Sequence, residues 1–210
     1  MNQLNRYYLS PDPSQGRSSP RILPIRIYGD GILRKKCQPV KEIDNEIRSF
    51  AADLVATMYE KDGVGLAAPQ VGVDLCIFVV DPDWSKTNQK KPTVFINPKF
   101  ISMSGVTAQD EGCLSLPEIY AEVKRAEKIE IEALDLEGNR KRYEIEGFFA
   151  RAVQHENDHL DGILFIDRIS KLKLLSLKWK LKDLEQKTDR NGVNLDYYFT
   201  DNQNDIHRNS

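Results

Sequence analysis

Two histidines, His155 and His159, stand four residues apart around Glu156 in the run Gln154-His155-Glu156-Asn157-Asp158-His159. On a helix this H-E-x-x-H spacing puts two imidazoles one turn apart, within reach of one divalent metal ion. The chain holds only three histidines, so two of them meeting around a glutamate points to a metal site rather than to coincidence. At about 100° per residue, Phe148, Ala152, His155 and His159 share one face that is otherwise apolar and therefore inward. Glu156 turns to the edge of that face, where it can take a proton from a metal-bound water. Gln154, Asn157 and Asp161 are expected on the opposite, wet side. Arg151 projects about 40° to the other side of His155, which places its guanidinium at a pocket mouth, in reach of a substrate backbone or carboxylate. A solvated side chain is the alternative for Arg151.

Catalytic zinc or iron needs about three protein ligands and one open position. Two candidates exist for the third ligand. A zinc endopeptidase would take it from downstream, where Glu185 lies in a Lys-rich stretch. The other candidate is upstream, in Glu111-Gly112-Cys113-Leu114-Ser115-Leu116-Pro117. There Cys113 stands beside a glycine in a turn-like segment before a strand, and a metal would hold its thiolate deprotonated. Cysteine outside such a site is ordinarily a small buried hydrophobe. A noncatalytic structural zinc module would need four closed ligands, and only three can be named. A third segment, Gly63-Val64-Gly65-Leu66-Ala67-Ala68-Pro69-Gln70-Val71-Gly72, is uncharged and carries two close glycines. It lacks the G-K-[ST] ending and does not open a helix after a strand, so it is not a nucleotide loop. It offers backbone that a ligand can approach closely and one amide, Gln70, able to face a developing oxyanion. The simpler alternative is a helix C-cap and a tight turn.

The elements that must position these residues follow from periodicity. Asp44 caps a helix whose apolar residues Ile47, Phe50, Ala51, Leu54, Val55 and Met58 recur at buried-stripe spacing, with Gly63 as its stop. Strands are predicted at 75–80, 93–96, 121–123, 128–134 and 142–146, with a turn at 137–139. The H-E-x-x-H helix spans about 147–161, with Gly162 beyond it, and an amphipathic Lys/Leu-rich helix spans about 169–186. Its Lys171, Lys173, Lys178, Lys180 and Lys182 form a solvated face opposite Leu174, Leu177, Leu181 and Leu184, with ribosomal RNA as an alternative contact. Helices set among strand runs without βαβ alternation give the class α+β: short, mostly antiparallel strands packed around a central metal-binding helix. Residues 1–20 are expected to be a flexible extension, 21–187 a single catalytic domain, and 188–210 a polar tail.

Composition excludes several functions. The 210 residues carry 30 Lys and Arg against 32 Asp and Glu, a net charge of −2, so no overall basic field gathers DNA. The longest apolar run, LCIFVV at 75–80, is far short of the roughly 20 residues that span a membrane. Neither a signal peptide nor an organelle transit pattern is visible. Cys37, Cys76 and Cys113 do not resemble a secreted disulfide framework, and a cytoplasmic location is expected.

Taken together, GVGLAAPQ, EGCLSLP and QHENDH, in this order and at this spacing, closely resemble the three signature motifs of the peptide deformylases, over about Ile22 to Ser170. The resemblance implies removal of the formyl group from the N-terminal formyl-methionine of nascent proteins. It implies one divalent metal ion, natively Fe²⁺ and replaceable by Zn²⁺, Ni²⁺ or Co²⁺. It makes Cys113, His155 and His159 the metal ligands and Glu156 the general base and acid. Gln70 and the backbone N–H of Leu114 would polarise the formyl oxygen. Gly65 would pair with the substrate backbone, Val64 and Phe148 would line the methionine pocket, and Arg125 would pair with Asp158. The expected partners are N-formyl-methionyl peptides and, near its exit tunnel, the ribosome; the expected state is a monomer.

Overall fold

The computed structural model describes residues 19–87 and 89–188. The segments read as an extension and a tail lie outside the described residues, save Ser19, Pro20 and Thr188. Thr188 is tied to the body, its hydroxyl donating to the Tyr28 carbonyl at 2.9 Å.

Helix α1 (Asn45–Glu60) begins where Asp44 accepts the Ile47 N–H at 2.9 Å, a cap worth about 1 kcal/mol. Its stop differs from expectation: Asp62, not Gly63, takes the left-handed conformation (φ 54°). The following strands β1 (Gly65–Ala67) and β2 (Ile77–Val80) flank a 3₁₀ turn at Ala68–Val71. A short helix α2 (Trp84–Thr87) precedes β3 (Thr93–Ser104), β4 (Thr107–Cys113), β5 (Leu116–Arg125), β6 (Lys128–Leu134) and β7 (Arg140–Glu146). Strands β1-β2-β3-β6-β7 form an antiparallel sheet, and β4-β5 a separate hairpin. The fold is α+β, as its sequence pattern indicates.

Several strands depart from expectation, and β1 lies in a segment read as a turn or ligand loop. β3 and β5 have 12 and 10 residues, longer than their apolar stretches: β5 continues with exposed residues alternating between buried ones, and β3 continues as a largely exposed segment paired with β6. β4 has few apolar residues and carries no strand pattern of its own; Cys113 is its last residue rather than part of a turn.

The unbroken apolar run of β2 has a structural reason. Ile77 and Val79 join the core cluster of α1, whereas Phe78 and Val80 join the cluster that holds Ala150 and Val153. Both faces of the strand are covered, so neither can be polar. Helix α3 (Gly147–Leu160) lies on the second face. Past its end Gly162 has φ +72°, and a Cβ there would meet the Arg34 carbonyl oxygen at 2.6 Å. Helix α4 (Lys171–Lys187) packs through Leu177 and Leu181 on a third cluster with Leu116, Ile119 and Phe165. Only these two of its residues are buried; Leu174 is 37% exposed and Leu184 partly buried. No described helix is long and apolar enough to cross a membrane.

Candidate metal centre

Helix α3 brings His155 and His159 to the end of the β4–β5 hairpin, where Cys113 sits. One ligand atom from each of the three lies within 4.8 Å of the others, with Cys113 Sγ 3.3 Å from His159 Nε2. Glu185, the rival candidate, is exposed on α4 and outside this cluster. A soft sulfur and two imidazoles are a donor set that zinc or ferrous iron accepts, and three ligands leave a coordination position open. The residues therefore fit a catalytic metal ion.

Both imidazoles are buried, and burial pushes both away from the charged form. For His159 this leaves the ring neutral, with a lone pair to give. For His155 the burial is outweighed by hydrogen bonds with Cys113 and Glu111, which pull it above its ordinary value. His155 Nδ1 is 2.9 Å from Glu111 Oε2. That contact orients the ring, the arrangement of a carboxylate behind a ligating histidine, and an ion binding at Nε2 would displace the proton there.

Glu111 is the functional residue that sequence reasoning passed over. Its oxygens accept from Arg125 Nε at 2.8 Å and Nη2 at 2.9 Å, and from Arg151 Nη1 at 2.6 Å. Burial pushes the Glu111 carboxyl up, but the hydrogen bonds from Arg125 and His155 prevail and hold it below the usual carboxylate range. The available signal was that it carries the only charge in EGCLSLP, two residues from Cys113. Arg125 Nη1 also donates to Asp158 at 2.6 Å, the pair implied by the resemblance. Arg168 completes the cluster with two hydrogen bonds to Asp158, and its position in the sequence carried no signal.

Two expectations for α3 are corrected. Arg151 borders the cavity, as the helical angle suggests, but its guanidinium does not reach out toward a substrate: it is 2% exposed and is taken by Glu111, the Val123 carbonyl at 3.0 Å and the Thr107 carbonyl at 2.9 Å. The helical angle was sound, but the β4–β5 hairpin covers that side of the helix. Gln154 is not on a wet side either. Its amide accepts from Ala126 N–H at 3.0 Å and donates to the Ala126 and Ala150 carbonyls at 2.9 Å, so it closes the chain between β5 and β6 onto the helix.

Glu156 is buried, and among the described residues its Oε2 has no hydrogen-bond partner. Burial raises its carboxyl to about 7, against the lowering influence of His155 and Arg125. Gly65 explains how it fits: a Cβ there would lie 2.5 Å from Glu156 Oε1 and 2.7 Å from its Cγ. The glycine that the sequence suggests for approach to a ligand is thus also required by the carboxylate beside it.

Gln70 is fixed by its own turn, its Oε1 accepting the Ala67 N–H at 2.8 Å. Nε2 is therefore turned toward Cys113 Sγ and Ser115 Oγ, both at 3.4 Å. Trp84 Nε1 donates to the Gly63 carbonyl at 2.9 Å, and Asp81 N–H to the Val64 carbonyl at 2.9 Å, which holds the glycine-rich segment in place. Gly63, Gly65, Gln70, Cys113, His155 and Glu156 border a cavity of about 830 Å³ that also touches Val64, Leu114 and Phe148. Phe148 is 42% exposed, at the rim rather than deep inside.

Comparison with known proteins agrees with this geometry. A family model described as polypeptide deformylase matches residues 22–174. Peptide deformylase 1 of Clostridium perfringens is 51% identical over 143 residues, covering 68% of this chain and 95% of that protein. Among solved structures, the peptide deformylase of Thermus thermophilus is 42% identical, with a TM-score of 0.73 over 79% of this chain and 99% of that one. An Arabidopsis thaliana peptide deformylase 1B, solved with an inhibitor, is 38% identical, with a TM-score of 0.75 over 79% of this chain and 91% of that one.

Proposed function

The chain belongs to the peptide deformylase family, and on that premise we propose that Cys113, His155 and His159 hold its metal ion while Glu156 moves the protons of the reaction. The protein is a metal-dependent hydrolase that removes the formyl group from N-terminal formyl-methionine. The observation that carries the residue assignment is the convergence of three ligand atoms within 4.8 Å beside a buried carboxylate oxygen without a partner among the described residues.

A divalent ion held there supplies a Lewis acid and lowers the pKa of water to about 7. Glu156 accepts the proton of the attacking water at its free Oε2 and passes it to the leaving amine nitrogen. The formyl oxygen gains negative charge as the carbon becomes tetrahedral. Gln70 Nε2 and the Leu114 N–H meet it there, each donor worth roughly 3 kcal/mol. Gly65 aligns the substrate backbone, and Val64 and Phe148 flank the methionine side chain. Arg125 and Asp158 act at one remove, holding α3 against the hairpin that carries Cys113.

The ion we assign is Fe²⁺, with Zn²⁺, Ni²⁺ or Co²⁺ able to replace it, because a thiolate with two imidazoles suits all four. Metal analysis of anaerobically purified protein tests that choice. The same reading makes the protein a cytoplasmic monomer that meets nascent chains near the ribosomal exit tunnel, supported by the formylated N-terminus of its substrate and the lysines of α4. The activity is tested with metal-loaded protein by release of free amine from formyl-Met-Ala-Ser. Rapid release is expected, with slow release from the acetyl analogue, whose methyl must occupy space that formyl leaves to hydrogen. Equal turnover of the two would overturn the assignment.

A further inference from the structure

We propose that α4 builds an outer subsite of the substrate cleft, in which Trp179 receives an apolar or aromatic side chain from the third or fourth residue of the formylated peptide. The proposal rests on the deformylase reading of the inner site and adds a specificity determinant to it. The cavity that touches Cys113, His155 and Glu156 does not end there. It continues past Tyr120 to Trp179 and Asp183 of α4. A volume of about 830 Å³ lies in the range, roughly 300–1,000 Å³, of sites that enclose ligands well beyond one side chain. An extended peptide advances about 3.3 Å per residue, so a chain whose methionine lies at the inner end carries its following residues outward along this cavity.

The outer wall is set in register with the inner site. Leu177 and Leu181 anchor α4 in the same cluster as Leu116 and Ile119 of β5, and Lys180 Nζ donates to the Glu118 carbonyl at 3.4 Å. These β5 residues follow Cys113 closely along the chain, so the helix cannot shift without moving the hairpin that carries the cysteine. Trp179, adjacent to Lys180, is 68% exposed, and Tyr120 is 65% exposed. Lys180 Nζ lies 5.7 Å from the Trp179 ring centroid and Tyr120 packs on Gly112, but both rings stay mostly exposed at the cavity, and large rings so placed are suited to a guest side chain, since rigid aromatics gain contact area at little entropic cost. Leu172 and Leu175 are as exposed on the same helix but do not border the cavity, which provides an internal control.

The test compares formyl-Met-Ala-Ser-Phe and formyl-Met-Ala-Phe-Ser with formyl-Met-Ala-Ser-Ser on the metal-loaded full chain. Wild-type protein should show a KM at least threefold lower for one of the Phe peptides, with similar kcat. Trp179→Ala should remove that advantage by raising KM for the Phe peptide, Trp179→Phe should restore most of it, and Leu175→Ala should leave it intact. Equal KM values for Phe and Ser peptides in wild type, or an advantage that survives Trp179→Ala, would overturn the subsite while leaving the inner site standing. Absence of amine release from every peptide, including formyl-Met-Ala, would instead strike the deformylase reading, and the subsite with it.

Discussion

Helices α3 and α4 are similar in length and both legible as amphipathic segments, yet they do opposite work. Ten of the 14 residues of α3 are buried, polar ones included, whereas Leu177 and Leu181 alone are buried among the 17 of α4. On α4 no lysine is buried. On α3 a polar residue marks a partner: Arg151 meets Glu111, Gln154 meets Ala126, Asp158 meets Arg125, and Glu156 has an oxygen to spare. The difference teaches that chemistry is concentrated where polar groups have been taken out of water and paired, because there an unpaired one is both costly and reactive. The outer helix is left to shape what approaches.

The comparison breaks first, if it breaks, at Glu156. Glu156→Gln should keep the metal ion and lower kcat by about 10² to 10⁴, the range of general-base loss; metal content measured beside turnover decides, and near-normal turnover with metal retained would remove Glu156 from its role. Glu111→Ala should be next. Removing a carboxylate that serves two arginines and His155 is expected to weaken metal affinity about 10- to 100-fold and to lower Tm by about 10 °C, from roughly 3–5 kcal/mol of lost stability. Titration with a competing chelator and a thermal melt check both. Arg151→Met should cost less, about 2 kcal/mol and about 5 °C of Tm, because Arg125 still serves Glu111. Its KM for formyl-Met-Ala-Ser should stay near wild type, as a guanidinium engaged by Glu111 and two backbone carbonyls is not offered to substrate; a several-fold rise in KM would give it a binding role. Leu175→Ser on α4 should be nearly silent, within about 0.5 kcal/mol, and a Tm loss like that of Arg151→Met would show that α4 is not peripheral.

What the sequence made legible divides along the same line. Asp44 and its helix and the strand at 128–134 are local patterns, and each appears as the pattern indicates, whereas of the four leucines read as the apolar side of α4 only Leu177 and Leu181 are buried. The three ligand candidates were also readable, because H-E-x-x-H and an isolated cysteine are chemically distinctive residues. The parts that were not legible depend on what lies across from them. β4 is a strand because β5 pairs with it, not because its own residues favour one. Arg151 and Gln154 were placed by helical angle, and the angle carries no knowledge of the hairpin and the β5–β6 connection that cover those sides. Glu111 lies next to the motif that drew attention, but its meaning requires Arg125, Arg151 and His155 at once, 14 to 44 residues away along the chain.

The most direct test of the account is whether the hairpin and α3 share one ion through the sulfur of Cys113. Cobalt-substituted wild-type protein should bind one Co²⁺ per chain and show a thiolate-to-metal charge-transfer band in the near ultraviolet. In cobalt-loaded Cys113→Ser that band should be gone; its persistence would mean that Cys113 is not a ligand and that the centre is built from other residues.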